Sequence, residues 1–374
     1  MTKNLCTKQT GKSLVNPKSA SKKVRTTTHG ATKGANKFPV ASGEEKSACR
    51  EIPAESRGNS VKQPQKEWCK QSDSRSVQMT KARFACKDEF YTQLGDIEKE
   101  CDHYGECFRN KRILCPCDGA ASNFLKYFEA NFDRFHLASL TAIGMNPHGR
   151  GFKYVKHPNK PPRTSLLLFN GDFRSSEGCA AIRDADVIVT NPPFSLFRDL
   201  VGAVVQYKKQ FLLMGNMPTF GTKDMERLVT NRQMWFGYTG CGAVEFVVPE
   251  HYQKCHRMVT NPDGTRTKFA DISSICWATN LPVNKPLGHH LSVTYDPNEH
   301  KKYDGLEELD VIEVPTLRKI PKDYSGVLAV PITFLIDWDP KQFDVVGFSD
   351  GEHLKGGLTV DGEDPFRRVF IKRR

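Results

Sequence analysis

The chain has 374 residues, of which 38% are hydrophobic and 10% aromatic, so it can bury a substantial core. No stretch approaches the roughly 20 apolar residues of a membrane helix, and no apolar segment follows the N-terminus. We therefore expect neither a membrane protein nor a secreted one. The 12 cysteines are scattered through hydrophobic runs, which is typical of reduced thiols in an intracellular protein.

Most of the net charge of +12 lies in the N-terminal segment. Residues 1–78 hold 16 Lys and Arg against 6 Asp and Glu, which leaves a net charge of only +2 for the rest. This segment has no periodic apolar face, so residues 1–83 are predicted to form a disordered basic tail. Three interpretations of this segment remain open: it binds phosphates without sequence preference, it targets the protein to a compartment, or it is a solvated tail with no function.

From about residue 84 the sequence indicates a globular α/β fold. Predicted strands alternate with predicted helices along the chain. The strands are "KRILCPCDG", "TSLLLFNGDF", "DVIVT" and "KQFLLMGNM", and the helices are "SNFLKYFEANFDRF", "SSEGCAAIRDA" and "FSLFRDLVGAVVQY". This order predicts a doubly wound, Rossmann-like parallel sheet. We expect its binding crevice outside the carboxyl ends of the strands.

The pattern changes after residue 220. Segments such as "AVEFVVPEHY", "SICWATNL", "GVLAVPITFL" and "QFDVVGF" are predicted strands separated by polar loops. Some of them are expected to complete the main sheet, and others to form a smaller β-rich region.

The segment "TNPPFSLF" carries the clearest chemical signal. Asn191 directly follows a buried strand, and Pro192 and Pro193 make the loop stiff because they fix the backbone and remove two N–H donors. The Asn191 side-chain oxygen and the Pro192 carbonyl are both acceptors, so they suit the amino group of a substrate. Accepting both hydrogens of a conjugated amine stabilises the positive charge that grows as its nitrogen attacks. Phe194 can stack on a planar ring.

Asn191, Pro192, Pro193 and Phe194 together resemble the catalytic motif of amino-group methyltransferases. The globular part also contains, in order, "EFYTQLGDIEKE", "SNFLKYF", "GDFRS", "FLLMGN", "IPKDYSGVLAVPITFL" and "PKQFDVVG". These motifs resemble the EcoRI-type adenine-specific DNA methyltransferase family over residues 84–374. The resemblance divides that range into a cofactor-binding and catalytic core, 84–220, and a target-recognition and sheet-completing region, 221–374.

The resemblance implies S-adenosylmethionine as the methyl donor and a set of residues that hold it. Cys117, Asp118, Ser122 and Asn123 resemble the motif at the methionine end of the cofactor. Asp172 resembles the acid that accepts from the adenine amine of the cofactor, with Phe173 beside it. Phe90, Tyr91 and Thr92 resemble the motif that closes over the cofactor.

Two structural alternatives accompany these assignments. Asp172 can also be read as the N-cap of the following helix. The cysteines around "CPCDG" lack the C-x-x-C spacing of a zinc knuckle, so buried thiols are favoured and no metal is expected.

The predicted function is methylation of the 6-amino group of adenine in double-stranded DNA after base flipping, by a monomer. The enzyme would belong to a restriction–modification system or act as an orphan; a partner nuclease cannot be inferred. Related tetrapeptides also serve enzymes that act on RNA adenine or protein glutamine. A catalytically decayed DNA-binding homologue is a further alternative, because the loop "CDGAASNF" lacks a G-x-G pattern.

Overall fold

The computed structural model describes residues 91–248, 252, 254–304, 310–349, 359–363 and 367–374. The predicted tail, residues 1–83, and Phe90 lie outside the described residues. Within the described ranges, no helix is both long and apolar enough to cross a membrane.

The described chain contains both strands and helices up to residue 230 and is mainly β-strand afterwards. The strands are β1 (Tyr91–Thr92), β2 (Arg112–Cys115), β3 (Ser139–Gly144), β4 (Phe152–Lys156), β5 (Arg163–Leu166), β6 (Val187–Thr190), β7 (Gln210–Asn216), β8 (Trp235–Val248), β9 (Arg257–Thr260), β10 (Arg266–Thr279), β11 (Val311–Glu313), β12 (Val327–Pro331), β13 (Phe343–Phe348) and β14 (Arg368–Arg373). The α-helices are α1 (Leu94–Cys101), α2 (Gly105–Phe108), α3 (Asn123–Ala130), α4 (Ser176–Asp184), α5 (Phe197–Gln206), α6 (Met217–Phe220) and α7 (Lys223–Thr230). Short 3-10 helices span Asp102–Tyr104, Phe194–Leu196, Leu317–Lys319 and Ile332–Asp337.

The main sheet has the strand order β1-β8-β10-β7-β6-β2-β3-β4-β5, and β9 also pairs with β10. Its centre, β7-β6-β2-β3, is parallel, which confirms the predicted fold class. The sheet as a whole is mixed, because β4 and β10 join the two sides of that centre in antiparallel orientation. The short connections between β3, β4 and β5 permit antiparallel pairing only, since a parallel crossover needs a dozen residues or more.

One predicted strand is misplaced. The run "TSLLLFNGDF" was expected to be a buried strand, but β5 is an exposed edge strand, and Leu166 and Leu168 are 60% and 74% exposed. The buried strand next to β2 is instead β3, within "LASLTAIG". An apolar run does not reveal how many neighbours its strand has, so the position in the sheet could not be read from the sequence.

Both faces of the central sheet are covered, as a doubly wound fold requires. Successive side chains of β6 enter opposite cores: Ile188 packs with α4 and α5, whereas Val187 and Val189 pack with α1 and α3. The predicted apolar stripe of α3, which includes Phe124 and Phe128, is buried in the second of these cores.

The C-terminal strands divide between two sheets, as expected. Strands β8 to β10 extend the main sheet. Strands β11-β12-β14-β13 form a separate four-stranded sheet, which shares the core of α4 and α5.

Candidate functional site

The carboxyl ends of the four parallel strands meet at one edge of the main sheet. Asp118 lies three residues after β2, Gly144 ends β3, Asn191 follows β6 directly, and Asn216 ends β7. The edge is tied together across strands, because the Thr190 hydroxyl donates to the Asp118 carboxylate at 2.6 Å. Residues that are far apart in the sequence are therefore brought to one crevice.

Asp118 is a buried carboxyl group, only 6% exposed. Its second oxygen accepts a hydrogen bond of 2.5 Å from the hydroxyl of Ser122. Ser122 is also the N-cap of α3, where its side chain accepts from the backbone of Phe124. Burial raises the pKa of Asp118 to about 6, although the two hydroxyl donors oppose that shift.

Two glycines allow the loops at this edge to approach each other closely. A Cβ atom on Gly144 would lie 2.6 Å from the Gly119 Cα, which no packing tolerates. Gly171 has φ +85°, and a Cβ there would lie 2.4 Å from the Gly144 carbonyl oxygen. The loop that carries Asp172 is therefore held directly against the end of β3.

Asp172 is buried and ion-paired. The Arg174 guanidinium donates to both of its carboxylate oxygens, with contacts of 2.5 to 3.2 Å, and also reaches Asp199 of α5 at 3.2 Å. The N-cap of α4 is Ser175, whose hydroxyl accepts from the Gly178 backbone, so the N-cap alternative for Asp172 is wrong.

The segment from Asn191 to Phe194 forms the predicted rigid turn. β6 ends at Thr190, Pro193 precedes the 3-10 helix Phe194–Leu196, and α5 follows at once. The Asn191 amide nitrogen donates to the Thr92 hydroxyl at 3.1 Å. The backbone carbonyl of Thr92 accepts in turn from the Asn123 side chain at 2.8 Å.

These residues surround a cavity of about 300 Å³, which lies at the lower end of the range for small-molecule sites. It is lined by most of the residues that the sequence singled out: Tyr91, Thr92, Cys117, Asp118, Ser122, Asn123, Asp172, Phe173, Asn191 and Pro193. Sequence reasoning missed a second set of lining residues, namely Pro116, Gly119, Ala121, Phe124, Gly144, Met145, Gly171 and Leu196. Recognition of β3 as a buried strand ending at a glycine would have indicated Gly144 and Met145.

Two of the described site residues, Pro192 and Phe194, do not line this cavity. Pro192 is buried, and Phe194 packs at the margin of the core formed by α1 and α3. Phe90 lies outside the described residues.

Among the described residues, one group of His, Cys, Asp and Glu side chains has metal-compatible spacing, and it shares no residue with the cavity lining. Glu245, His256 and Asp271 come together on β8, the loop before β9, and β10. The Glu245 carboxylate is already paired with Arg257 at 2.6 Å, which offsets its charge. The group is partly exposed, and none of its three residues lines the cavity.

Comparison with known proteins identifies the family. A family model described as "Adenine-specific methyltransferase EcoRI" matches residues 78–368. Type II methyltransferase M.EcoRI of Escherichia coli is 36% identical over 316 residues, which span 79% of this chain and 95% of that protein. Type II methyltransferase M.MgeORF184P of Mycoplasma genitalium is 35% identical over 313 residues, or 79% of this chain and 98% of that protein. M.MpnI of Mycoplasma pneumoniae is 35% identical over 314 residues, or 79% and 97%.

No solved structure is significantly similar to the chain. Methyltransferases of this family act on DNA and in general take the methyl group from S-adenosylmethionine. The family model matches most of the chain, and three relatives are 35 or 36% identical over nearly their whole length. The chain belongs to the EcoRI family of adenine-specific DNA methyltransferases.

Proposed function

We propose that this protein transfers a methyl group from S-adenosylmethionine to the 6-amino group of adenine at a specific site in duplex DNA, and that it does so after flipping the base. The observation that carries the proposal is the position of Asn191. Its amide lies at the carboxyl end of β6, is held by Thr92, and borders a cavity with two buried carboxyl groups.

The residues of the cavity fit S-adenosylmethionine chemically. Asp118 is a suitable partner for the ammonium group of the methionine part, and Asp172 for the amine of the adenine ring. Phe173 supplies an apolar wall for that ring. When bound, the cofactor supplies an electrophilic methyl group. Arg174 neutralises Asp172, so a ligand amine would share this carboxylate with the guanidinium.

We assign Asn191 and Pro192 to binding the amino group of the target adenine. The Asn191 oxygen and the Pro192 carbonyl accept its two hydrogens, which draws the nitrogen lone pair out of conjugation with the ring. Phe194 is assigned to stacking on the flipped base. No side chain with a tuned pKa is needed at this step, because the acceptors stabilise the charge that develops on nitrogen. As the bond from nitrogen to the methyl carbon forms, the bond from that carbon to sulfur would break, the donor would leave as the thioether S-adenosylhomocysteine, and the methylated amine would lose one proton to solvent. Holding the amine in contact with the methyl group supplies much of the rate.

The duplex must lie near the carboxyl edge, because the flipped adenine has to reach Asn191. The exposed hairpin of β9 and β10 is close enough to contact it. Tyr91, Val247, Phe269 and Arg257 occupy one row across β1, β8, β10 and β9. Three strand spacings separate the ends of this row, or about 14 Å, which is less than the width of a DNA duplex. We assign this hairpin to the DNA-binding surface.

The test is methylation of unmethylated genomic DNA with methyl-labelled S-adenosylmethionine, followed by nucleoside mass spectrometry and mapping. We expect label on the 6-amino group of adenine within one short sequence. Asn191→Ala should remove activity while S-adenosylhomocysteine, measured by calorimetry, still binds. Full turnover by that variant, or labelling of RNA or protein glutamine instead of DNA, would contradict the proposal.

A further inference from the structure

We propose that Thr92 is a positioning residue that determines which end of the Asn191 amide faces the target amine. This inference rests on the function proposed above and extends it. Resemblance to the family assigns Thr92 to the motif that closes over the cofactor, whereas its contacts in this structure lead to the asparagine of the catalytic motif.

Thr92 is buried and held from several sides. Its side chain and backbone are 5% exposed, and β1 pairs with β8 through the register Thr92 to Phe246. The Asn123 side chain donates to its carbonyl at 2.8 Å. The Thr92 hydroxyl lies between Asn191 and Met214, because it accepts from the Asn191 Nδ2 at 3.1 Å and donates to the Met214 Sδ at 3.8 Å. The hydroxyl is therefore fixed relative to the sheet.

The direction of these two contacts carries the argument. A hydroxyl group can donate one hydrogen bond and accept others, so by itself it would tolerate either end of an amide. The sulfur of Met214 can only accept, and it takes the single hydrogen of the Thr92 hydroxyl. Towards Asn191, the hydroxyl is then an acceptor. An acceptor at this position binds the NH₂ group of the Asn191 amide. Because the amide is planar, its oxygen then points away from Thr92.

This orientation is the one that an adenine amine requires. The amine donates two hydrogens, so it needs the Asn191 oxygen and not the Asn191 NH₂ group. If the amide rotated by 180°, its oxygen would meet the lone pairs of the Thr92 hydroxyl and its NH₂ group would face another donor. Thr92 disfavours that arrangement before the substrate arrives. It thereby pre-organises the acceptor without touching the substrate.

The experiment compares Thr92→Val with the wild-type protein and with Thr92→Ser. Valine has nearly the shape of threonine but lacks the hydroxyl, so the Asn191 NH₂ group loses its acceptor. We expect the single-turnover rate of methyl transfer to a duplex oligonucleotide to fall by about 10- to 100-fold. The dissociation constant for S-adenosylhomocysteine should stay within about threefold, because the hydroxyl that is lost contacts Asn191 and Met214. Thr92→Ser should restore most of the rate.

Two further variants control the experiment. Thr164→Val makes the same chemical change on the exposed edge strand β5 and should leave the rate unchanged. Met214→Leu removes the sulfur acceptor without altering Thr92, so the hydroxyl can turn towards Asn191, and transfer should slow by about three- to tenfold. This variant also keeps the inference testable if Thr92→Val fails to fold, which thermal unfolding would reveal.

The outcomes separate this inference from the proposed function. If Asn191→Ala keeps its activity, the proposed function is wrong. If Asn191→Ala is inactive but Thr92→Val transfers methyl groups at the wild-type rate, only the inference about Thr92 is wrong. A Thr92→Val variant that loses cofactor affinity in proportion to rate would likewise overturn it, because Thr92 would then act on the cofactor. Equal loss in the Val and Ser variants would indicate a packing role instead.

Discussion

The carboxyl group of Asp118 is buried, so the charge of the site depends on pH near neutrality. Burial raises its pKa to about 6, so the group changes charge just below neutral pH. Because this pKa is higher than the unfolded value of about 3.9, Asp118 contributes most to stability below about pH 4, and that contribution is lost as the pH rises through 6. Only the ionised form attracts an ammonium group.

We therefore expect affinity for S-adenosylhomocysteine to fall as the pH is lowered from 7 to 5. The loss should approach about tenfold per pH unit below the pKa of Asp118. Isothermal titration calorimetry across this range measures it. Asp118→Asn should bind more weakly at pH 7 and show a flat profile, and a steep profile in that variant would contradict the assignment.

Asp172 leads to a prediction about ligand selectivity. A buried carboxylate that accepts from an adenine amine should reject a base that presents a carbonyl oxygen in its place, because two acceptors would then face each other. The wild-type protein should prefer S-adenosylhomocysteine over S-inosylhomocysteine by roughly 10- to 100-fold. Asp172→Asn should lose most of this preference, since its amide can also donate. Competition binding measures both ratios, and an unchanged preference in the variant would rule out this contact.

At the scale of elements, the β9–β10 hairpin is the clearest candidate for phosphate contacts. Arg266 is exposed at the start of β10, whereas Arg257 is already paired with Glu245. Arg266→Ala should weaken binding to all duplexes about equally and reduce the slope of log K against log salt by about 1. Fluorescence anisotropy at several salt concentrations measures this slope.

Arg163→Ala is the matched control for that experiment. Arg163 is exposed on β5, an edge strand on the other side of the main sheet from the β9–β10 hairpin. It pairs with Val155, which pairs with Thr141, three residues before the carboxyl end of β3. The same charge is removed, so a purely long-range effect would change both variants alike. Equal slopes for the two variants would argue against a specific role for the hairpin.

The sequence predicted some of the secondary structure near the site correctly and some of it wrongly. The turn from β6 to α5 was predicted correctly, because a β-branched run, two prolines and an amphipathic segment succeed one another. Strand β5 was misplaced, because the apolar run that starts at Leu166 indicated a buried strand although β5 ends at that residue, and β3 was overlooked. Their difference is that β3 has neighbours on both sides, whereas β5 is an edge strand. That difference depends on pairing, which local sequence does not encode.

At the scale of the whole molecule, charge is distributed unevenly between the tail and the rest. The segment with 16 basic and 6 acidic residues, 1–78, ends where the family match begins, at residue 78. We propose that it increases affinity for DNA without affecting chemistry. Removal of residues 1–77 should leave the single-turnover rate unchanged, weaken DNA binding at low salt, and make its salt dependence shallower. Identical binding of the full and shortened chains would indicate that the segment is only a solvated tail.

The sequence by itself determined the fold class, the family and most residues around the cavity. The continuous apolar runs of the central strands reflect burial on both faces of the sheet, and the turn chemistry of Asn191, Pro192 and Pro193 is local, so both can be read from neighbouring residues. Tertiary structure alone decided which groups contact each other. It brought Arg174 to Asp199, joined Asp118 to Thr190, and brought Thr92 to Asn191, which is 99 positions away. Such contacts depend on strand order and register, which result from the packing of the whole chain and not from any single segment.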